Sequence, residues 1–479
     1  MLSVIIANVC NASFTQGAKT QKHSIVRPIL KKPTLDPNDL NSYRPISNLS
    51  FLSKTVERVV TARFDEHVET LNLLPSRQSA HGAHHSTETA VIDVHNSIVR
   101  NVDRGGHVSV LVLLDLSSAF DTVDDASLLE VLAKRFVDVA RIGLDWFRSY
   151  FDGRTQTFYV GAQQSATFVV HCSVPQGSVL GVLKFISYTE DLPAVIAQHA
   201  FDHHLYANDT QLSDEPPITF VAASIENIEK CIEAVHVWCS SKRLQLNPSK
   251  FEIIWFGTRA TLNHLQNTDL GLHVGADSIA SSEVVRDLGV FLDGELTMQQ
   301  NVGEVARVCY YHLRRFKKVR RILGPTITSR LVSAFVTSRL DYCNALLAGL
   351  PQSTIAQLQR VQNAAIRLLS NVTPRDEVSA SLRELHWLQI RCRIIYKLCL
   401  MMNNTHVGRS PRYVTEMLRE TAHLPNRNRL RSSASTRYEL PAFVARSENA
   451  RSRTLDLRPG TVCRVTLHRL WTLRHLELA

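Results

Sequence analysis

The run Val108–Leu114 is apolar and rich in β-branched residues. A stretch this short, bounded at its end by Asp115, reads as a central strand buried on both faces. The chain must therefore supply layers to either side of it. At 479 residues it is long enough for two or three domains. Hydrophobic residues at 44% and charged residues at 20% exclude a disordered chain.

Around that strand the pattern is mixed. Residues 25–50 carry Pro28, Pro33, Pro37 and Pro45, which exclude a long helix and suggest an irregular, extended lead-in. Helices are expected at 49–70 and 87–100, the second capped by Ser86 with Val91, Val94 and Ile98 on one face. A helix is expected over 126–151 and a strand over 167–172. Two short strands, His203–Ala207 and Thr210–Ser213, flank an Asn208-Asp209 turn. Ile225, Ile228, Ile232, Val235 and Cys239 mark an amphipathic helix, and Glu252–Phe256 and Val284–Leu292 read as strands.

From about 300 the character is helical. Val302, Val305, Cys309, Leu313, Phe316, Val319 and Leu323 form one stripe, ended by Gly324-Pro325. The other faces carry Arg314, Arg315, Lys317, Lys318, Arg320 and Arg321, either a solvated surface or one laid against a phosphate backbone. Further helices are expected at 326–347, 354–370 and 378–402, with no assignable pattern beyond about 445.

The net charge of +10 suits a polyanion but does not require one. Nine cysteines without a CxxC pair fit free thiols in a reducing compartment, inside the cell in cytoplasm or nucleus. The apolar run Leu2–Cys10 is short and lacks a basic flank, so it is not read as a signal peptide. No run of about 18 apolar residues suggests a membrane span.

Three features could carry chemistry together: the Asp115–Asp121 block, the Pro175-Gln176-Gly177 turn, and Tyr206-Ala207-Asn208-Asp209. Each has an ordinary reading as a strand cap, a tight turn and a hairpin turn. Together, an aspartate at a strand end beside a carboxylate hairpin can hold two Mg²⁺ ions.

The chain resembles the LINE-type (non-LTR retrotransposon) reverse transcriptases over roughly 25–440. The resemblance lies in Ser42–Ser47, Glu57-Arg58-Val59, His85–Ala90, Asp115–Asp121, Ser173–Gly181, Tyr206–Asp209, Leu246–Lys250 and Arg286–Val290, and later in Leu340–Asn344 and Leu385–Leu388. It implies an α+β right-hand polymerase with fingers, a palm built on an antiparallel sheet, a helical thumb and a helical C-terminal region. Fingers would span 25–105, palm 106–258, a connection 259–300, and thumb and following region 301–402. Residues 1–24 would be an unassigned lead and 403–479 a tail.

The resemblance further implies catalytic roles for Asp115, Asp209 and the position of Asn208, with Asp115 and Asp209 binding metal. Phe120 would abut C2′ of the incoming nucleotide and exclude ribonucleotides, or would simply be core. Gln176 and Gly177 would border the nucleotide and template base. Lys250 would neutralise the leaving pyrophosphate, or be a solvated lysine. The basic helix would track the backbone of an RNA template and DNA primer. Deoxynucleoside triphosphates would be the substrates. Oligomeric state is left open, and no membrane partner is implied.

Several departures from the family pattern stand out. The box has Asn208 where the family has the first of two aspartates. Losing one charge about 4 Å from a cation costs about 4 kcal/mol at an effective dielectric near 20, or about a thousandfold in rate. Gly82 stands where the family has an arginine suited to clamp a triphosphate. Val182 and Lys184 disturb an apolar helix, with Lys184 snorkelling or destabilising it. The tail after 445 departs from the family's end, and neither an upstream endonuclease nor a terminal Cys/His knuckle is evident, which suggests a damaged fragment. The expectation is therefore RNA-directed DNA synthesis impaired by Asn208, with a catalytically inactive nucleic-acid-binding remnant as the alternative.

Overall fold

The computed structural model describes residues 2–19, 21–117, 120–136, 141–370, 372–373 and 376–417, with a strand pair at 438–439 and 454–455. The rest of the tail after 445 lies outside the described residues, as do Ser118 and Ala119.

The chain opens with a helix, α1 (Leu2–Thr15), which the sequence reading left unassigned. The proline-rich segment is an antiparallel pair, β1 (His23–Leu30) and β2 (Tyr43–Leu49), with Pro28 opposite Pro45, where an irregular lead-in was expected. Two helices follow, α2 (Phe51–Leu71), capped by Ser50, and α3 (Thr87–Val102). Ser86 and Thr89 form a reciprocal capping box on α3.

The central strand is β3 (Ser109–Leu114), followed by a short β4 (Leu116–Ser117). The expected helix over 126–151 is two, α4 (Asp125–Arg135) and α5 (Arg141–Phe151). Strands β5 (Arg154–Val160), β6 (Gln163–Gln164) and β7 (Phe168–Val170) come next, of which only β7 was anticipated. β5 runs parallel to β1, so these strands and β2 make one sheet.

Helices α6 (Gly181–Tyr188) and α7 (Leu192–Ala197) lead to the hairpin β8 (Asp202–Tyr206) and β9 (Asp209–Asp214). Helix α8 (Val221–Ser241) buries Ile228, Ile232, Val235 and Cys239, as their spacing predicts. β10 (Gln245–Leu246) pairs with β4, and β11 (Glu252–Phe256) completes an antiparallel sheet of order β11-β3-β9-β8.

Alternation along this sheet divides the core. Val110, Val112 and Leu114 face one cluster with Ile253 and Trp255 of β11. Leu111 belongs to a second cluster with Ile254 and Phe256, and Leu113 packs against it. Both faces of β3 are covered, which is why its sequence shows no polar alternation.

Beyond the sheet lie α9 (Arg259–His264) and two hairpins, β12 (Leu272–Val274) with β13 (Asp277–Ile279) and β14 (Val284–Asp287) with β15 (Val290–Asp293). The single strand expected over 284–292 is thus folded back at Leu288-Gly289, both with positive φ, as a type I′ turn requires. The long α10 (Gln299–Val332) breaks at Gly324, whose φ is 74°, and resumes at once. The stripe on α10 is buried at Val302, Cys309, Leu313 and Phe316, whereas Val319 is exposed. A π-helical turn (Ser333–Thr337), α11 (Ser338–Asp341) and a 3₁₀ turn (Asn344–Leu347) replace the continuous helix expected to 347. Helix α12 (Gln352–Ser370) follows. The helix expected at 378–402 is α13 (Ser379–Glu384) and α14 (Ile390–His406), separated where His386 takes a positive φ. Then comes α15 (Arg412–Met417), and the strands β16 (Tyr438–Glu439) and β17 (Thr454–Leu455) pair with each other.

Candidate active site

The buried strand β3 delivers Asp115 to its end. β3 pairs with β9 as far as Leu114 and Thr210, and Asp115 and Asp209 are the residues that adjoin this last pair. The charges report this proximity: burial lifts the Asp209 carboxyl above the ordinary aspartate range, Asp115's negative charge lifts it further, and Lys250 opposes both. Lys250 reaches Asp115 Oδ2 at 2.8 Å from the turn Pro248–Lys250, and the Asn247 amide donates to the Asp115 carbonyl at 3.0 Å.

The hairpin turn falls one position earlier than expected. Tyr206 pairs with Asp209, leaving Ala207 and Asn208 as the loop. Ala207 alone has positive φ, at 55°, which matches a II′ rather than an I′ turn. Asp209 is therefore a strand residue with its direction set by the sheet. The Asn208 amide lies 3.4 Å from Asp209 Oδ1, as a donor where a carboxylate would repel.

A second group adjoins through the chain. The Val174 amide donates to the Phe120 carbonyl at 2.7 Å, and Gln176 Nε2 donates to both Asp121 oxygens at 3.2 Å. The Phe120 ring packs on Phe185 with centroids 4.9 Å apart and is only partly buried. Gln176 and Asp121 line a cavity of about 410 Å³ with Lys22, Pro45, Ser47 and Arg154. Gly177, with φ 114°, has a specific local neighbour: a Cβ there would stand 2.6 Å from the Ser47 carbonyl oxygen. Its smallness thus lets the turn pack on β2, a constraint that the sequence reading placed at the nucleotide. Gly82 is hemmed in too, since a Cβ would meet the His85 ring at 2.5 Å.

Glu57, from the Glu57-Arg58-Val59 motif, is fully buried and anchors this turn. It accepts from Ser178 Oγ at 2.8 Å and the Val179 amide at 2.9 Å, and pairs with Lys19. Sequence reasoning gave it no role, although its place in a motif was a usable signal.

Lys184 does not snorkel. It is 2% exposed, and its ammonium lies 3.2 Å from the Tyr150 ring centroid without a hydrogen-bond partner. Along α10, Arg314, Arg315, Lys317, Lys318 and Arg321 are exposed, and none has a carboxylate partner among the described residues. Arg320 differs, donating to the Leu368 carbonyl of α12 at 2.9 Å. It is better placed to join two helices than to meet a phosphate. These cations are not brought into contact with Asp115 or Asp209.

The family model of the reverse transcriptases (RNA-dependent DNA polymerases) matches residues 29–290, more than half of the chain. The chain belongs to this family. It is similar to the probable RNA-directed DNA polymerase from transposon BS of Drosophila melanogaster, 27% identical over 354 residues, covering 72% of this chain and 38% of the relative. It is also similar to the RNA-directed DNA polymerase from mobile element jockey of the same organism, 23% identical over 282 residues, covering 58% and 30%. These relatives make it a LINE-type, non-LTR retrotransposon reverse transcriptase domain with the right-hand α+β fold. The chain spans under two fifths of the length of these relatives. A solved telomerase from Candida albicans, in complex with a fragment of telomeric RNA, is 11% identical with a TM-score of 0.37, covering 77% of this chain and 65% of that one. At that score it adds nothing to the family match. No helix among the described residues is long and apolar enough to cross a membrane.

Proposed function

We propose that this domain is built for RNA-directed DNA synthesis at Asp115 and Asp209, and that Asn208 leaves it impaired. The observation that carries this reading is that Asp115 and Asp209 adjoin the last pair of the β3–β9 ladder, near enough for the Asp115 charge to raise the Asp209 carboxyl, with Lys250 paired to Asp115. Two mutually repelling carboxylates at a strand end suit a hard cation with oxygen donors. Among the described residues no group of three acidic, histidine or cysteine side chains gathers as a metal site.

Asp115 and Asp209 would hold the family's magnesium ions, which when bound activate the attacking oxygen and stabilise the leaving one. Lys250 balances charge at Asp115 and would pass to the pyrophosphate. Phe120, resting on Phe185, would present its exposed edge to the sugar and exclude a 2′-hydroxyl. Gln176 and Gly177 would border the nucleotide. The exposed cations of α10 would follow a template–primer backbone. Fingers at 25–105, palm at 106–258, a connection at 259–300 and thumb from 301 are the domain bounds this reading uses.

The test is primer extension on poly(rA)–oligo(dT) with dTTP and Mg²⁺. The Asn208→Asp protein should exceed the native chain by about a thousandfold, the equivalent of one restored charge near a cation. Equal and robust synthesis by both would overturn the impairment. Salt-sensitive duplex binding without synthesis in either would instead support a binding remnant.

A further inference from the structure

We propose that Gln78 is a positioning residue for the hairpin that carries Asp209. The segment Arg77–Ser79 lies along the free edge of β8. The Leu205 amide donates to the Arg77 carbonyl at 2.9 Å, and the Ser79 amide donates to the Leu205 carbonyl at 2.8 Å. From that anchored position the buried Gln78 side chain turns into the hairpin loop. Its Oε1 accepts from the Ala207 amide at 3.0 Å and the Ala80 amide at 3.1 Å, while Nε2 faces the Ala207 carbonyl at 3.5 Å.

Ala207 needs such help. Its φ of 55° is a conformation L-residues disfavour, and neither glycine nor asparagine stands there to ease it. A primary amide offers an acceptor and a donor to one peptide unit, so Gln78 holds the peptide in the orientation the turn requires. Asp209 lies two residues beyond, the first strand residue after that turn, so the turn and the sheet together set its direction.

A buried brace fixes the segment in turn. Ser79 Oγ lies 2.8 Å from His204 Nε2, His204 Nδ1 lies 3.0 Å from Asp93, and Tyr413 of α15 bonds Ser79 at 2.7 Å and Thr89 at 3.0 Å. The serine, histidine and aspartate have the order of a hydrolytic triad. Ser79 is 2% and His204 1% exposed, however, and the hydroxyl is occupied on both sides. The trio holds a loop and reaches no substrate.

The clamp is tested apart from catalysis by hydrogen exchange on the full chain. Gln78→Met keeps the side-chain volume and removes all three hydrogen bonds. Amides of 203–210 should exchange about tenfold faster, the effect of one hydrogen bond, with the melting temperature and the exchange of α8 unchanged. In an Ala207→Gly background the same substitution should matter about threefold or less, because glycine holds the turn unaided. Unchanged hairpin exchange, or a uniform rise across the molecule, would overturn the clamp.

The positioning role rests on the proposed polymerase reading and is measured in the Asn208→Asp protein. There Gln78→Met should lower kcat about tenfold and leave KM for dTTP and duplex affinity as they were. Gln78→Glu, which keeps the acceptor for Ala207, should recover part of the loss. An equal fall in kcat and duplex affinity would show general damage and overturn positioning. If Asn208→Asp makes no DNA at all, the polymerase reading fails, while the exchange result still decides the clamp.

Discussion

Two positions that the sequence analysis sets apart from the family pattern, Asn208 and Lys184, have opposite physics. Asn208 removes a charge at the partly exposed end of a sheet, where charges are cheap to house and chemistry would use them. Lys184 adds a charge inside the seam under α6, against the Tyr150 ring and close to Glu57, Arg154 and Asp125. The first should cost reaction and spare folding; the second should cost folding and spare reaction. A domain of this kind would then lose activity and stability by separate routes.

The largest effect that could break this contrast is at Asp115. In the Asn208→Asp protein, Asp115→Asn should remove about a thousandfold in primer-extension rate, with unfolding free energy changed by less than about 1 kcal/mol. A comparable loss of stability would merge the two regions.

Next is Lys184→Met, which keeps the stem and removes a buried ammonium with no acceptor. It should stabilise by about 2–3 kcal/mol in urea unfolding at neutral pH, the desolvation cost of an unpaired buried group. Extension rate per folded molecule should stay the same. Burial holds the Lys184 amine well below its ordinary value. The unfolded chain then binds more protons, so stability rises with pH from the folded value toward the free lysine value. The advantage of Lys184→Met should narrow over that window.

Asp287, 2% exposed under the hairpin, has the reverse sign. Burial lifts its carboxyl to about 7, with the Gln211 amide opposing the rise and the charge of Asp209 adding to it. The folded state holds the extra proton, so its contribution falls as pH rises from the unfolded aspartate value to about 7. Asp287→Asn should gain about 1–3 kcal/mol at pH 8 and almost nothing at pH 4 by the same unfolding assay.

The smallest effect is on α10. Replacing Lys317 and Lys318 together with alanine should reduce the slope of log affinity against log salt by about two for duplex binding. Arg320→Ala should instead lower stability by about 1 kcal/mol, because its bond to Leu368 is internal.

What the sequence made legible follows from local rules. β3 and β11 were readable because burial on both faces leaves continuous apolar runs, and α3 because Ser86 announces its start. Asp115 and the 206–209 box were readable as chemistry at strand ends. The β1–β2 pair was hidden by Pro28 and Pro45. β1 meets β5 only over His23–Val26, so both prolines sit where the strand's other edge is free. The turn at Ala207 was misplaced because Asn208-Asp209 has the better local propensity and the sheet register overrode it. Gln78, Glu57 and the Lys184 environment depend on partners 30 or more positions away, which no window of sequence displays.

The most direct measurement is a magnesium titration followed by melting temperature in four proteins: native, Asn208→Asp, and the latter carrying Asp115→Asn or Asp209→Asn. A ligand that binds the folded state stabilises it with the logarithm of its concentration over its dissociation constant, so tighter binding gives the larger shift. Asn208→Asp should melt highest with added Mg²⁺, the native chain should respond less, and the two double variants should barely respond. An equal magnesium response in all four would contradict a shared site at the end of β3.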